Sequence, residues 1–278
     1  GRLAERLSDH FKINRPDIAI CYADRFELLP FALVCSYMGI PLAQIQAGED
    51  SGNIDQKVRH AVSHLADLRF TSHSKAQERL SKMSLKSILT GCPSIDVIVS
   101  NEINRLKVPE NSVICIFHPH TREIYSARNQ LELLLSQLNI YLKETEDKCY
   151  YFMSNNDPGF KQLEEYYKSN PLIKPICNVS EREYLRMLAE TKFIIGNSSS
   201  GLREACYLGV PSINIGNRQE NRVKGKNVTD CNFNDIYQTI KAIEGKTYKK
   251  DTLFGDGYAS ERIVKEIKVW KLNCKPVS

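Results

Sequence analysis

The chain has 278 residues, of which 42% are hydrophobic and 26% are charged, and its formal net charge is +5. This composition excludes a disordered polypeptide and predicts two globular domains, each of roughly a hundred residues or somewhat more. No lysine and arginine block indicates a nucleic-acid partner, and no apolar run approaches the ~20 residues that span a bilayer. We therefore expect a cytoplasmic protein that binds neither nucleic acid nor membrane.

The cysteines agree with a reducing compartment. There are nine, scattered from Cys21 to Cys274 without a CxxC motif. Several of them, such as Cys115 and Cys149, lie in apolar, strand-like runs. This pattern predicts buried, reduced thiols rather than a disulfide framework.

Helix and strand patterns alternate in the first part of the chain. We predict helices at residues 2–11, 26–38 and 55–65, and strands at residues 18–22, 41–46 and 68–72. This alternation is typical of a doubly wound α/β domain. Because the first predicted element is a helix, the usual first strand and its glycine turn are absent. We therefore expect this domain to lack its first βα unit, through either trimming or permanent incompleteness.

A second alternating block follows a polar stretch at residues 101–111. Its strands are predicted near residues 113–117, 149–154, 193–196 and 212–215, with helices between them. Ser180 and Glu183 form a candidate capping box before EREYLRMLAE. The predicted organisation is a first Rossmann-like domain at 1–106, a second at 107–256, and a helix at 257–278. Ligands of such domains bind at the carboxyl ends of the strands.

The most informative segment is GNSSSGLREACYLGVPSINIGNRQENR, at residues 196–222. A buried strand ends there in a small polar turn, a helix opens, and the chain returns as a strand. The unpaired N–H groups of a helix start and the hydroxyls of Ser198, Ser199 and Ser200 favour a bound phosphate. Gly201 lets a ligand approach the backbone closely. This segment is therefore a candidate site for an anionic ligand.

Two arginines follow the strand that closes this segment. Arg218 and Arg222 can return positive charge to the serine-rich turn. The alternative is that asparagine and serine only cap a helix, which is the common role of these residues. The arginines and the βαβ context raise the anion site to an equal alternative.

Ionisable groups also follow the strands of the first domain. Asp24 and Arg25 come after its first predicted strand, and Glu49 lies in the AGEDSG loop after the next. Since the carboxyl ends of parallel strands share one edge, these groups are candidates for acid–base chemistry and binding. Alternatively, Asp24 caps a helix and Glu49 lies in a solvated turn.

The helix that follows carries three further candidates, Asp55, Arg59 and His60. Asp55 and Arg59 are spaced i, i+4 on one helix face, so an ordinary helix salt bridge is the alternative explanation.

In the second domain, the strand at residues 113–117 ends in HPHT. His118 is a candidate for proton transfer or phosphate contact. The His118-x-His120 spacing could belong to a zinc site, but the sequence offers no convincing third and fourth ligand. We expect no metal and no cofactor.

Together these motifs resemble the UDP-N-acetylglucosamine 2-epimerases, and most closely their hydrolysing branch. The segments that carry the resemblance are DRFE, QIQAGEDSGNIDQKVRHAVSHLADLRF, GCPSID, HPHT, GNSSSGLREA, GVPSINIGNRQENR and FGDGYASERIV. They span nearly the whole chain. The resemblance implies a fold similar to that of GT-B glycosyltransferases, in which the helix at 257–278 crosses back to the first domain. It also implies a UDP-sugar substrate and a homodimer or homotetramer.

The resemblance also implies binding roles. Ser198 and Ser199 would hold the diphosphate, Glu204 the ribose hydroxyls, and Arg218 the phosphate or the neighbouring sugar. Asn155 matches another position that lines the ligand.

The implied reaction is the conversion of a UDP-N-acetylhexosamine and water to UDP and the free 2-epimer. A base removes the C2 proton, UDP leaves to give a glycal, and water adds. Asp24 and Asp55 match family carboxylates assigned to acid–base work. Arg25, Arg59 and His118 match nearby electrostatic or binding groups.

The chain departs from the family pattern at Gln46, where many relatives have a catalytic glutamate. An amide forms hydrogen bonds but does not transfer a proton as a carboxylate does. Glu49 substitutes only if its loop turns inward. Two alternatives therefore stay open: a truncated pseudoenzyme that binds UDP-sugar, and a GT-B glycosyltransferase. The substrate is UDP-N-acetylglucosamine or a UDP-diacetamido sugar of the legionaminic-acid type.

Overall fold

The computed structural model describes residues 1–22, 25–51, 55–105, 110–118, 127–153 and 171–273. The chain divides into two compact units. The first is Gly1–Asp96 with Phe254–Ser278, and the second is Val97–Leu253. Helices alternate with parallel strands in both, which confirms the predicted α/β class.

The limits of the units differ from the domain limits that we predicted at 106 and 256. The first unit ends at Asp96, within the helix Pro93–Ser100. The polar stretch that suggested the boundary therefore follows the limit instead of marking it.

The first unit contains a four-stranded sheet in the order β1-β2-β3-β4, and all of its pairings are parallel. Its strands are β1 (Ala19–Tyr22), β2 (Leu42–Ile45), β3 (Leu68–Thr71) and β4 (Ile88–Leu89). Its helices are α1 (Arg2–Ile13), α2 (Leu28–Tyr37), α3 (Asp55–Leu65), α4 (Ser74–Lys82) and the first residues of α5 (Pro93–Ser100), and the C-terminal α10 (Ala259–Asn273) also belongs to it.

The second unit contains a six-stranded parallel sheet in the order β10-β9-β8-β5-β6-β7. Its strands are β5 (Ser112–Ile116), β6 (Lys148–Phe152), β7 (Ile173–Ile176), β8 (Ile194–Gly196), β9 (Ser212–Ile215) and β10 (Val228–Cys231). Its helices are α6 (Ala127–Thr145), α7 (Glu181–Glu190), α8 (Glu204–Leu208) and α9 (Ile236–Ile243).

Successive residues of β2 join different cores, as the alternation of side chains along a strand requires. Leu42 belongs to a cluster with Phe11 of α1 and Val62 of α3. Ala43 belongs to a cluster with Phe70 of β3 and Ile263 of α10. The sheet of the first unit therefore buries both faces, which explains why β2 is apolar at consecutive positions.

The core of the second unit joins its sheet to α6 and α9. Leu131, Leu134 and Leu138 of α6 are fully buried in one cluster with Cys115 and Ile240. Their i, i+3, i+7 spacing places them on one face of the helix.

The predicted cap of α7 is confirmed. The Ser180 hydroxyl oxygen accepts a hydrogen bond from the backbone N–H of Glu183, at 3.2 Å. The sequence analysis did not predict three short strands, β4, β7 and β10. β7 contains Lys174 and Pro175, so it lacks the apolar run by which the longer strands were recognised.

The thiols in the described ranges are all free, and those other than Cys177 are buried. Across the same ranges, no helix has both the length and the apolar character needed to cross a membrane.

Candidate active site

The serine-rich segment begins at Gly196, where the neighbouring strand β5 leaves no room for a side chain. Gly196 has φ = +140°, and a Cβ atom there would lie 1.9 Å from the carbonyl oxygen of Ile116 in β5. Any side chain would therefore force β8 away from β5. Because glycine has no side chain, the backbone that follows β8 can pass close to the end of β5, next to His118.

Asn197 joins these two strand ends. Its Oδ1 accepts a hydrogen bond from the N–H of His118, and its Nδ2 donates one to the carbonyl oxygen of His118, both at 2.8 Å. The carbonyl oxygen of Asn197 in turn accepts hydrogen bonds from Arg218 Nη1 at 3.0 Å and from Gln219 Nε2 at 2.8 Å. One residue thus connects the His118, Ser198 and Arg218 segments.

Asn197 and Gln219 were not among the predicted site residues. The sequence alone indicates Asn197 only as part of a helix cap, because its partner His118, which follows β5, is 79 residues away in the sequence. Its place between a glycine strand end and three serines was the available signal. Gln219 adjoins Arg218 and gave no separate signal.

The turn itself is tighter than predicted. Residues Ser199–Gly201 form a 3-10 turn, and α8 starts only at Glu204 and has five residues. The expectation that a helix begins at 197–200 is therefore replaced by a 3-10 turn, which gives the site a smaller helix dipole than a long helix would. Local N–H groups and hydroxyls must supply most of the polarity.

The serine hydroxyls take part in separate local contacts. Ser198 Oγ accepts from the N–H of Ser200 at 3.3 Å, and Ser199 Oγ accepts from Arg203 Nη2 at 2.7 Å. Ser200 Oγ lies 2.5 Å from the hydroxyl of Tyr184 in α7. Burial raises the pKa of Tyr184 well above its usual value, so this hydroxyl stays neutral. The turn is accordingly fixed from several sides.

His118 is buried and uncharged near neutral pH. Burial, together with the nearby positive charge of Arg218, lowers the pKa of its imidazole to about 3. Within the described ranges its Nδ1 is buried and has no hydrogen-bond partner. A neutral imidazole with a free nitrogen can accept or donate a hydrogen bond to a ligand, but it is a weak base.

Three predicted binding residues have different surroundings. Glu204 is buried, and its Oε2 has no partner among the described residues. An unoccupied carboxylate oxygen is suited to a hydroxyl donor such as a ribose. Arg222 is half-buried, and its backbone N–H donates to Gln219. Gly201 packs close to Ser212, whose Oγ would lie 2.5 Å from an added Cβ.

In the first unit, Gln46 occupies the carboxyl end of β2. Its backbone is in the left-handed region, at φ = +60°, and its side chain is 4% exposed. Its Nε2 donates hydrogen bonds to the hydroxyl of Tyr22 at 2.8 Å and to Cys92 Sγ at 2.9 Å.

Glu49 turns into the protein. Its carboxylate Oε1 lies 3.3 Å from Nε2 of His73, and both side chains are almost fully buried. Arg59, also buried, donates from Nη1 to the carbonyl oxygen of Glu49 at 2.8 Å. These contacts fix the loop that follows Gln46.

The remaining candidates of the first unit are half-buried, exposed or outside the described ranges. Asp55 begins α3, and His60 on the same helix has a pKa lowered by burial and by Arg59. Arg25 is exposed and pairs with Glu27 at 3.0 Å. Asp24 and Asn155 lie outside the described residues.

No group of three or more histidine, cysteine, aspartate or glutamate side chains is arranged to hold a metal ion within the ranges that the structure describes. His120 lies outside those ranges.

The chain matches known proteins over most of its length. Residues 1–268 match the family model described as UDP-N-acetylglucosamine 2-epimerase. The UDP-N-acetylglucosamine 2-epimerase of Neisseria meningitidis is 33% identical over 274 residues, which cover 91% of this chain and 69% of the relative. The GDP/UDP-N,N'-diacetylbacillosamine 2-epimerase (hydrolyzing) of Campylobacter jejuni is 29% identical over 265 residues, 88% of this chain and 68% of the relative.

Solved structures support the fold. The UDP-GlcNAc 2-epimerase of Methanocaldococcus jannaschii, in complex with UDP-GlcNAc and UDP, has a TM-score of 0.79 and 18% identity. The match covers 97% of this chain and 80% of that one. This likeness confirms the predicted GT-B-like fold class.

Proposed function

Because the chain belongs to the UDP-N-acetylglucosamine 2-epimerase family, we propose that it is a hydrolysing UDP-N-acetylhexosamine 2-epimerase. Its substrate is UDP-N-acetylglucosamine or a related UDP-diacetamido sugar, and its products are UDP and the free 2-epimer. The observation that carries this proposal is the Asn197 cluster, which gathers His118, Ser198 and Arg218 at one edge of the second sheet.

The diphosphate of the substrate is assigned to this cluster. Arg218 supplies positive charge, and the 3-10 turn at Ser199–Gly201 supplies N–H groups and hydroxyls. The Oε2 atom of Glu204 is buried and has no partner in the part of the chain that the structure describes, which supports the assignment of the ribose hydroxyls to this side chain. Stabilising the departing diphosphate lowers the barrier to its elimination.

The chemistry begins with loss of the C2 proton to a base. The electron pair forms a C1–C2 double bond as the C1–O bond to UDP breaks, and UDP leaves. Water then adds its hydroxyl to C1, while a proton returns to C2 on the opposite face. We assign the acid–base roles to Asp24 and Asp55, as the family resemblance implies.

The surroundings of two other candidates favour non-catalytic roles. Glu49 pairs with His73, so we propose that it fixes its loop instead of transferring a proton. His118 has a pKa near 3, so we propose that it contacts the substrate as a neutral imidazole.

The fate of the C2 proton tests the function. UDP-N-acetylglucosamine is incubated with the protein in D2O and followed by proton NMR. We expect UDP and free N-acetylmannosamine that carries deuterium at C2. A free sugar of unchanged C2 configuration, retention of hydrogen at C2, or transfer of the sugar to an acceptor would contradict the proposal. Arg218→Gln is expected to weaken UDP binding, whereas the exposed Arg2→Gln is the matched control.

We further propose that the protein acts in the cytoplasm as a homodimer or homotetramer. Exposed apolar side chains on the first helices support self-association: Leu33 and Tyr37 are spaced i, i+4 on α2, and Ile13 ends α1. Sedimentation velocity measures the mass, and a monomer at micromolar concentration would contradict the oligomer.

A further inference from the structure

Three chain segments of the first unit meet at the Gln46 amide. Tyr22 ends β1, Gln46 follows β2, and Cys92 lies between β4 and α5. The N···O distance to Tyr22 is 2.8 Å and the N···S distance to Cys92 is 2.9 Å. Both contacts are made by the same atom, Nε2.

This placement of the Gln46 side chain requires an unfavourable backbone conformation. A left-handed conformation is unfavourable for a non-glycine residue, and it persists only where the surroundings impose it. Here the next residue, Ala47, donates its N–H to the carbonyl oxygen of Phe70 at 2.9 Å, so the chain turns sharply after β2. The turn aims the side chain at Tyr22 and Cys92.

The hydrogen-bonding capacity of the amide decides what it can offer a ligand. A primary amide has two N–H donors and one carbonyl acceptor. Tyr22 and Cys92 occupy both donors of Gln46, and within the described residues no donor reaches its Oε1. The amide is thereby held in one orientation, with an acceptor atom left for a ligand.

Cys92 is itself held firmly. Its backbone N–H donates to the carbonyl oxygen of Phe254 at 2.7 Å, its sulfur lies 3.1 Å from the hydroxyl of Ser94, and its side chain is fully buried. The sulfur is therefore a fixed point against which the amide is oriented.

We propose that Tyr22 and Cys92 are positioning residues that present Gln46 Oε1 to a hydrogen-bond donor of the substrate sugar, either a hydroxyl or an amide N–H. This inference rests on the proposed function, since it assumes that a UDP-sugar is the ligand. It makes position 46 a determinant of sugar recognition. Proton transfer belongs to other groups, because an amide does not titrate in the working range.

The test compares the affinities for UDP-N-acetylglucosamine and for UDP alone, measured by calorimetry on the full chain. Tyr22→Phe and Cys92→Ala each remove one contact of Nε2 and free the amide to rotate. We expect each to weaken UDP-N-acetylglucosamine binding about fivefold to tenfold, the effect of one hydrogen bond, and to leave UDP binding unchanged. Cys92→Ser is expected to restore the affinity, because a hydroxyl also accepts from Nε2.

Two matched controls lie in the same unit. Tyr37→Phe removes a hydroxyl from a tyrosine that is 90% exposed, and Cys35→Ala removes a sulfur from a fully buried cysteine. Neither side chain contacts Gln46, so the affinity ratio of the two ligands is expected to stay at its wild-type value in both.

An unchanged ratio in Tyr22→Phe and Cys92→Ala would overturn the inference, as would an equal loss for UDP alone or a Cys92→Ser variant that behaves like Cys92→Ala. Turnover is measured separately. If the variants show the expected affinity ratios but the wild-type chain forms no product, the epimerase function is refuted and the positioning roles still hold.

Discussion

Asn197 and Gln46 each use one side-chain amide to fix the groups around it, Asn197 in the second unit and Gln46 in the first. The Asn197 side chain forms hydrogen bonds with both backbone polar groups of His118, and the amide nitrogen of Gln46 donates to Tyr22 and to Cys92. Buried amides of this kind are costly unless they are paired, so each fixes the atoms around it. The His118 backbone and the Gln46 Oε1 are consequently held in place before any ligand binds.

The buried His118 predicts an acid-dependent loss of stability. Its folded pKa of about 3 lies below the unfolded value near 6.5, so the folded protein binds fewer protons between these limits. Stability from this group is complete above pH 6.5 and is lost as the pH falls toward 3, by at most about 1.4 kcal/mol per pH unit.

Urea unfolding at pH 7 and pH 4.5 measures this effect. His118→Gln is expected to lose less stability between these pH values than the wild type, because it cannot take up the proton on unfolding. The exposed His10→Gln is the control and should follow the wild type. An identical pH dependence in His118→Gln would show that the imidazole is already protonated in the folded protein.

Among the elements, β8 and the turn after it position the site. The strand has three residues, and its last, Gly196, pairs with Ile116 on one side and Asn214 on the other. Residue 197 can reach His118 only because the backbones approach this closely. The element therefore depends on one missing side chain.

Gly196→Ala is expected to be far more destabilising than an ordinary glycine substitution. Its Cβ would overlap the Ile116 carbonyl oxygen, and it would also occupy a positive φ. Gly245→Ala is the matched control, because it has φ = +72° but no atom within 4 Å of the new Cβ. We expect about 1 kcal/mol for Gly245→Ala and several times that for Gly196→Ala, in urea unfolding. Equal losses would mean that β8 shifts freely away from β5.

The strands also differ in how well the local sequence predicts them. β2, β5 and β9 are mostly buried, contain neither proline nor a charged residue, and were predicted from the sequence. β7 and β10 carry lysine, proline or aspartate and exist as strands through their pairing with β6 and β9. Pairing depends on neighbours that lie far away in the sequence, which local patterns do not describe.

In the whole molecule, residues 254–278 belong to the same compact unit as residues 1–96. Helix α10 contributes Ile263 to the core that contains Ala43, Leu68 and Phe70, with Ile267 and Trp270 packed against it. The core of the first unit therefore joins segments that lie far apart in the sequence. Its stability should respond to changes in α10 more than that of the second unit does.

Hydrogen exchange tests this division with two reciprocal variants. Ile263→Asn is expected to reduce protection of β2 and β3 while β8 and β9 stay protected, because it places a polar group in the core of the first unit. Ile240→Asn, in the core of the second unit, should give the opposite pattern. Uniform loss of protection in either variant would show that the two units unfold together.

The order of motifs and the alternation of apolar segments are local properties, and they were enough to predict the α/β class and the family. Which side chains meet is a different question. Asn197 contacts His118 across 79 residues, and Gln46 contacts Cys92 across 46. These contacts depend on strand order, on the close approach at Gly196 and on the left-handed backbone of Gln46. The tertiary structure decides them, because no local preference specifies which distant strand ends become neighbours.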